Sequence, residues 1–184
     1  MIGTALLVCA LASGLAATGL LLRGYLRRDD SYDAVVTPLI AVNAFSLILS
    51  LAYLTYSFVV TDYTIAYVYD NTANYIPLLY RVTGVYAGNE GSVLLWATLA
   101  AVVALWAALL RGFETADGKL VQAITVGFVT YFAGMLVLDS PFTPIGEAIP
   151  EMGSGAVPLD GTGLNPLLID PYMAIHPPMM FVAY

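Results

Sequence analysis

Twenty residues at the end of this 184-residue sequence, "NPLLIDPYMAIHPPMMFVAY", contain its single histidine, His176, set directly before Pro177 and Pro178. An imidazole is the side chain best suited to ligate iron or zinc or to shuttle protons near neutral pH. The residue before a proline is pushed out of the helical region, whereas proline suits a first helical turn. The spacing therefore predicts His176 as the last extended residue at the lip of a helix opened by Pro177 and Pro178. The structural alternative is a polar residue that does no more than cap a helix at a membrane boundary.

Two further charges invite a chemical reading. Glu90, in "YAGNEGS", stands where a carboxylate meets the positive end of a helix dipole, either as a simple cap or as a proton or cation site. Arg81 could pair with Glu90, bind an anionic ligand such as a propionate, or be a plain surface arginine. An iron held by two imidazoles cannot be built from one histidine, so a bis-histidine haem site needs a ligand from outside these 184 residues. Cys9 excludes an internal disulfide or a cysteine-built zinc site, being alone, and its apolar surroundings predict an inert buried thiol. Gly-rich phosphate loops, Ser/His/Asp sets and His/Glu metal spacings are absent from the sequence.

The elements that position these residues are membrane elements. The chain is 60% hydrophobic and 10% charged, with a mean hydropathy of +0.83, far outside the soluble range. A net charge of -7 excludes a nucleic-acid surface. One lysine against thirteen acids also resembles proteins from very salty habitats. A bilayer core takes about 20 apolar residues as a helix, and uncharged runs of that kind cover 2–22, 38–60, 92–110 and 120–138. A fifth run opens at 177. The first lacks the basic leader of a signal peptide and reads as a retained helix. Thr37 and Pro38 predict a cap and first-turn proline for the second helix. Asn43, Gln122 and Thr125 are candidates for interhelical hydrogen bonds. The fold class is all-α and polytopic, a single membrane domain.

Arg23, Arg27, Arg28, Arg111 and Lys119 fall on one side of these spans, and Arg81 alone on the other. The positive-inside rule then places the amino terminus and the connections 61–91 and 139–176 outside. The first connection holds Tyr63, Tyr67, Tyr69, Tyr75, Tyr80 and Tyr86, which predicts an aromatic segment along the headgroups. The second is rich in Pro and Gly, which discourages helix and strand, although "LNPLL" and "IDPYMAI" suggest that its latter half packs on something.

Five stretches in this order resemble the CcmF family of cytochrome c-type biogenesis proteins: "DYTIAYVYDN", "IPLLYRVTGVYAGNEGSVLLWATLAA", "DSPF", "DGTGLNPLL" and "DPYMAIHPPMMFVAY". The resemblance implies part of a membrane haem lyase that holds haem b at the outer face of the plasma membrane for thioether attachment to the CXXCH cysteines of apocytochrome c. It implies His176 as one axial ligand of the haem iron, with the second ligand outside this chain; Pro177, Pro178, Glu90 and Arg81 are, from their own chemistry, candidates to support that site. It also implies a haem chaperone, apocytochrome c and other cytochrome c maturation subunits as partners, besides membrane lipid. The sequence departs from the family at Asn89, where His or Gln is common, and at Tyr86, where Trp is usual; the family's Trp-rich segment and further histidines are absent. The short run after Pro178 leads us to expect a truncated or split chain, inactive alone. A haem or ion conduit lined by Glu90 and Arg81, and a non-catalytic assembly scaffold, are the alternative readings.

Overall fold

The computed structural model describes residues 2–110, 113–152 and 157–183. Its helices are α1 (Ile2–Arg27), α2 (Asp33–Val59), α3 (Ala66–Asn71), α4 (Leu78–Gly84), α5 (Asn89–Leu109), α6 (Ala116–Leu138), α7 (Ile145–Ala148) and α8 (Pro171–Ala183), with 3-10 turns at Pro150–Met152 and Pro166–Leu168. Among the described residues there is no strand, only an isolated antiparallel bridge between Ile65 and Pro144. Helices α1, α2, α5 and α6 are each long and apolar enough to cross a membrane.

These four close a ring, α1 against α2 and α6, and α5 against α2 and α6. Leu7, Leu47, Leu54, Leu94, Val129 and Leu136 fill one half of the interior; Leu21, Ile40, Ala104 and Val126 fill the other. Lipid supplies no hydrophobic push between helices, so close packing and polar links must join them. Gly14 provides the first, since a methyl there would lie 2.3 Å from Thr130 Oγ1. Asn43 and Gln122 provide the second, donating to the carbonyls of Ala10 and Ala104, each at 2.7 Å. Thr125 does not join them. It donates to Val121 within its own helix, from an exposed face.

Several further expectations are corrected. Cys9 is exposed on the outward face of α1, because the inward positions of that turn belong to Leu7 and Ala10. Helix α2 begins at Asp33, and Pro38 lies inside it. Proline's fixed φ is helical, so only the bond to the Ala34 carbonyl is forfeited, while Asp33 in the first turn anchors the helix start to Lys119. Helices α1 and α2 end without glycine. Arg28 (φ 50) and Thr61 (φ 53) take the left-handed position themselves, and the next amides, Asp29 and Asp62, reach back to Gly24 and Ser57, the usual helix-end closure. Arg111 and Tyr184 lie outside the described residues.

Lys119 is the largest correction. The charge pattern makes it a loop residue, yet it sits in α6 with a side chain only 2% exposed. Its ammonium contacts Asp30 at 2.6 Å and Asp33 at 2.8 Å, and Gly24 leaves room beside it. Thr115 caps the same helix by accepting from Gly118 N–H. The basic end of the bundle is therefore locked by one buried cation joining α6 to the α1–α2 turn. Lys119→Ala is expected to destabilise the fold by about 2–4 kcal/mol, combining a lost buried stem with two unpaired carboxylates. Thermal unfolding in detergent measures this, and an unchanged transition would contradict the linkage.

Candidate functional site

The opposite end of the bundle carries two connections that fold onto each other. Gly3 on α1 abuts the Phe142 ring, where a methyl would lie 2.4 Å from it. Ala66 N–H donates to Thr143 O and Ile145 N–H to Thr64 O, each at 2.9 Å. The "DGTG" stretch then docks by backbone. Thr162 N–H bonds Tyr69 O at 2.9 Å and Gly163 N–H bonds Thr72 O at 3.1 Å. Gly161 passes so close that a methyl would lie 2.1 Å from Thr72 O, so no larger residue fits.

Asp160 centres this junction. Its Oδ1 accepts from Asn74 N–H at 2.7 Å and from the Tyr63 hydroxyl at 3.1 Å, while Asn74 returns a bond to Leu159 O at 2.9 Å. The Asn74 amide, then those of Gly161 and the Tyr63 hydroxyl, with the nearby Arg81 charge, hold the Asp160 carboxyl below the usual carboxylate range. Arg81 is spent on its own chain. Its Nε donates to Ile76 O at 2.8 Å and Nη2 to Asn74 O at 2.6 Å.

Tyr67 organises the start of α5. Its hydroxyl donates to Val85 O at 3.1 Å and accepts from Gly88 N–H at 2.9 Å; burial pushes this phenol far above the ordinary tyrosine range. Gly91 makes the turn possible, because a methyl there would lie 1.7 Å from Val85 O and 2.5 Å from the Tyr67 hydroxyl. Glu90 occupies the first turn of α5, where the helix dipole favours a carboxylate. No ion pair joins it to Arg81 among the described residues. Tyr63 and Tyr67 are buried and Tyr75 is exposed, so the tyrosine-rich connection is partly core rather than a simple belt.

His176 lies inside α8, not before it. The helix starts at Pro171, with Asp170 Oδ1 accepting from Tyr172 N–H at 2.8 Å and Met173 N–H at 3.2 Å. That cap and first-turn proline nucleate the helix six residues earlier than Pro177. His176 accepts helical backbone because the restriction before proline is a preference, not a prohibition. Its side chain is exposed and borders a cleft of about 320 Å³ with Tyr172, Met173, Ile175 and Met179. Neither Glu90 nor Arg81 lines it. On the inner side, the Tyr86 hydroxyl donates to Ala174 O at 2.6 Å, and burial raises this phenol too. Further along, Phe181 stacks on Trp96 with centroids 6.0 Å apart and planes inclined by 18°.

The exposed imidazole, the single one in the sequence, stands beside an apolar cleft, where it could bind a metal or move a proton. Comparison with known proteins decides the lineage. No protein-family model matches the chain. It is 34% identical to the cytochrome c-type biogenesis protein ccl1 of Rhodobacter capsulatus over 97% of this chain and 26% of that protein. It is 33% identical to CycK of Rhizobium meliloti over 97% and 25%. The solved structure of cytochrome c haem lyase CcmF superposes with a TM-score of 0.74 at 25% identity, covering 98% of this chain and 27% of that one. The chain belongs to the CcmF family. It spans about a quarter of the length of these relatives.

In this CcmF relative, sequence reasoning missed Asp160 and Asn74 and read Tyr63 and Tyr86 as members of an aromatic segment without their bonds, whose partners lie 86 to 97 positions away. The available signal was the apolar "LNPLL" and "IDPYMAI", which suggested that the latter half of the connection packs on something. Because Asp160 is depressed, its contribution to docking is complete above the unfolded carboxylate value of about 3.9 and is lost as pH falls through the lower folded value. Limited proteolysis of the 139–176 connection is therefore expected to be slow at pH 7, to begin to accelerate below about pH 4, and to become fast once pH has fallen through the lower folded value. Asp160→Ala should give fast cleavage already at pH 7 with little further acid dependence; wild-type-like cleavage of that variant would contradict the role.

Proposed function

We propose that this chain is the haem-holding portion of a cytochrome c haem lyase, acting in cytochrome c maturation at the outer face of the plasma membrane. His176 supplies one axial ligand to haem b, and the second comes from outside these residues. The observation that carries this reading is the exposed imidazole on an apolar cleft at the end of the bundle opposite Arg23, Arg27, Arg28 and Lys119. That charge distribution favours the loop-rich end as the outer one.

The donor set fits this cofactor. A neutral imidazole is an ordinary haem ligand, and Tyr172, Met173, Ile175 and Met179 offer apolar contact to one face of a ring. Bound haem supplies two vinyl groups, each of which takes up a cysteine thiol across its double bond. The protein's contribution is orientation. A ligand on a helix would hold the ring at a set place near the membrane surface and so limit how its vinyl groups could meet the cysteines of CXXCH. A haem chaperone would deliver haem to this end, and apocytochrome c with other maturation subunits would dock there. Glu90 and Arg81 act in support, by stabilising the α5 start and the 74–76 backbone.

His176→Ala, in the complete maturation assembly, is expected to abolish the haem Soret absorbance and thioether formation, with recovery of both on adding imidazole. An unchanged haem spectrum in that variant would overturn the ligand assignment.

A further inference from the structure

Two prolines inside α8 create a specific deficit. In a regular helix the amides of residues 177 and 178 would serve the carbonyls of Met173 and Ala174. Neither proline has an amide hydrogen, so both acceptors are left without an intrahelical donor. Met173 is exposed, whereas Ala174 is buried, at 8% exposure. A buried carbonyl without a donor is costly, and the structure provides one from elsewhere: the Tyr86 hydroxyl, 2.6 Å from Ala174 O.

We propose that Tyr86 is a positioning residue for His176, its hydroxyl replacing the amide that Pro178 lacks and so fixing the turn that carries the imidazole. Tyr86 sits between α4 and α5, with its own carbonyl accepting from Ser92 Oγ at 2.9 Å and its amide bonded to Thr83 O at 3.3 Å, so the donor is itself held. Around the bond, Thr83, Ala87, Leu168, Met173 and Pro177 leave a void of only about 20 Å³. The Phe181–Trp96 stack holds the helix about one and a half turns further on, and the Tyr86 hydroxyl tethers the turn just before His176 to the α4–α5 connection. A tyrosine ring without its hydroxyl would fill the same space yet leave the carbonyl unserved and the turn free to rock.

The role in haem ligation rests on the function proposed above, so the test separates the two. Hydrogen exchange of the Ile175, His176 and Met179 amides, and the low-spin ferric haem signature, are measured on the complete assembly carrying Tyr86→Phe, Pro178→Ala, both, or His176→Ala. Tyr86→Phe is expected to speed exchange in α8 about tenfold, the cost of an unserved buried carbonyl, and to shift the haem signature. Pro178→Ala returns an amide to Ala174 O, so Tyr86→Phe should become nearly silent in that background. Unchanged exchange in Tyr86→Phe, or an equal effect in both backgrounds, would overturn the proposal, the latter because the ring's packing and not its hydroxyl would then matter. If Tyr86→Phe speeds exchange and His176→Ala changes the haem signature while Tyr86→Phe does not, the hydroxyl does not position the ligand and the proposal falls. If His176→Ala leaves haem unchanged, the ligand assignment falls, while the exchange results still decide the Tyr86 bond.

Discussion

Backbone hydrogen bonding is the constraint on which this structure depends. A bilayer offers no donors or acceptors, so every peptide group at that depth must be satisfied by protein. The four long helices meet the requirement internally along most of their length. Exceptions arise where the sequence removes a donor or ends a helix, and several have a local remedy. Arg28 and Thr61 turn left-handed so that Asp29 and Asp62 reach back to Gly24 and Ser57. The start of α5 is served by Tyr67, and the Ala174 carbonyl that Pro178 leaves without a donor is served by Tyr86.

The two ends of the bundle solve different problems. At the basic end one buried cation, Lys119, gathers Asp30 and Asp33. An unpaired ammonium in that position would carry a heavy desolvation cost, and the two carboxylates offset it while keeping partial access to water. At the other end the connections have no long helix to hold them, and order comes from reciprocal backbone contacts around Asp160, Asn74 and the "DGTG" stretch. That junction gives α8 a platform: the chain leaves Gly163 and, through the Pro166–Leu168 turn and the Asp170 cap, enters the helix that presents His176.

Hydropathy and length made the four spans legible, because a membrane helix needs only an uninterrupted apolar run. Their ends were less so. Pro38 and Pro177 both read as helix starts under first-turn preferences, and in both cases an upstream aspartate, Asp33 or Asp170, opens the helix instead. Lys119 read as a topological marker because a single sequence cannot show that two carboxylates 86 and 89 positions away converge on it. His176 was visible as the sole imidazole, but its setting was not: the cleft beside it follows from α8 starting at Pro171, and the Tyr86 bond joins positions 88 apart. The family motifs brought "YAGNEGS" and "AIHPP" together as text, and the structure supplies one physical link between them, the hydroxyl of Tyr86 on the carbonyl of Ala174.

The direct test of His176 as an iron ligand is hyperfine spectroscopy of the ferric haem in an assembly where only this segment carries ring-15N histidine. Since the segment holds one imidazole, the account requires a single strongly coupled 15N nucleus at the iron. A haem-loaded assembly with no 15N coupling from this segment would contradict it.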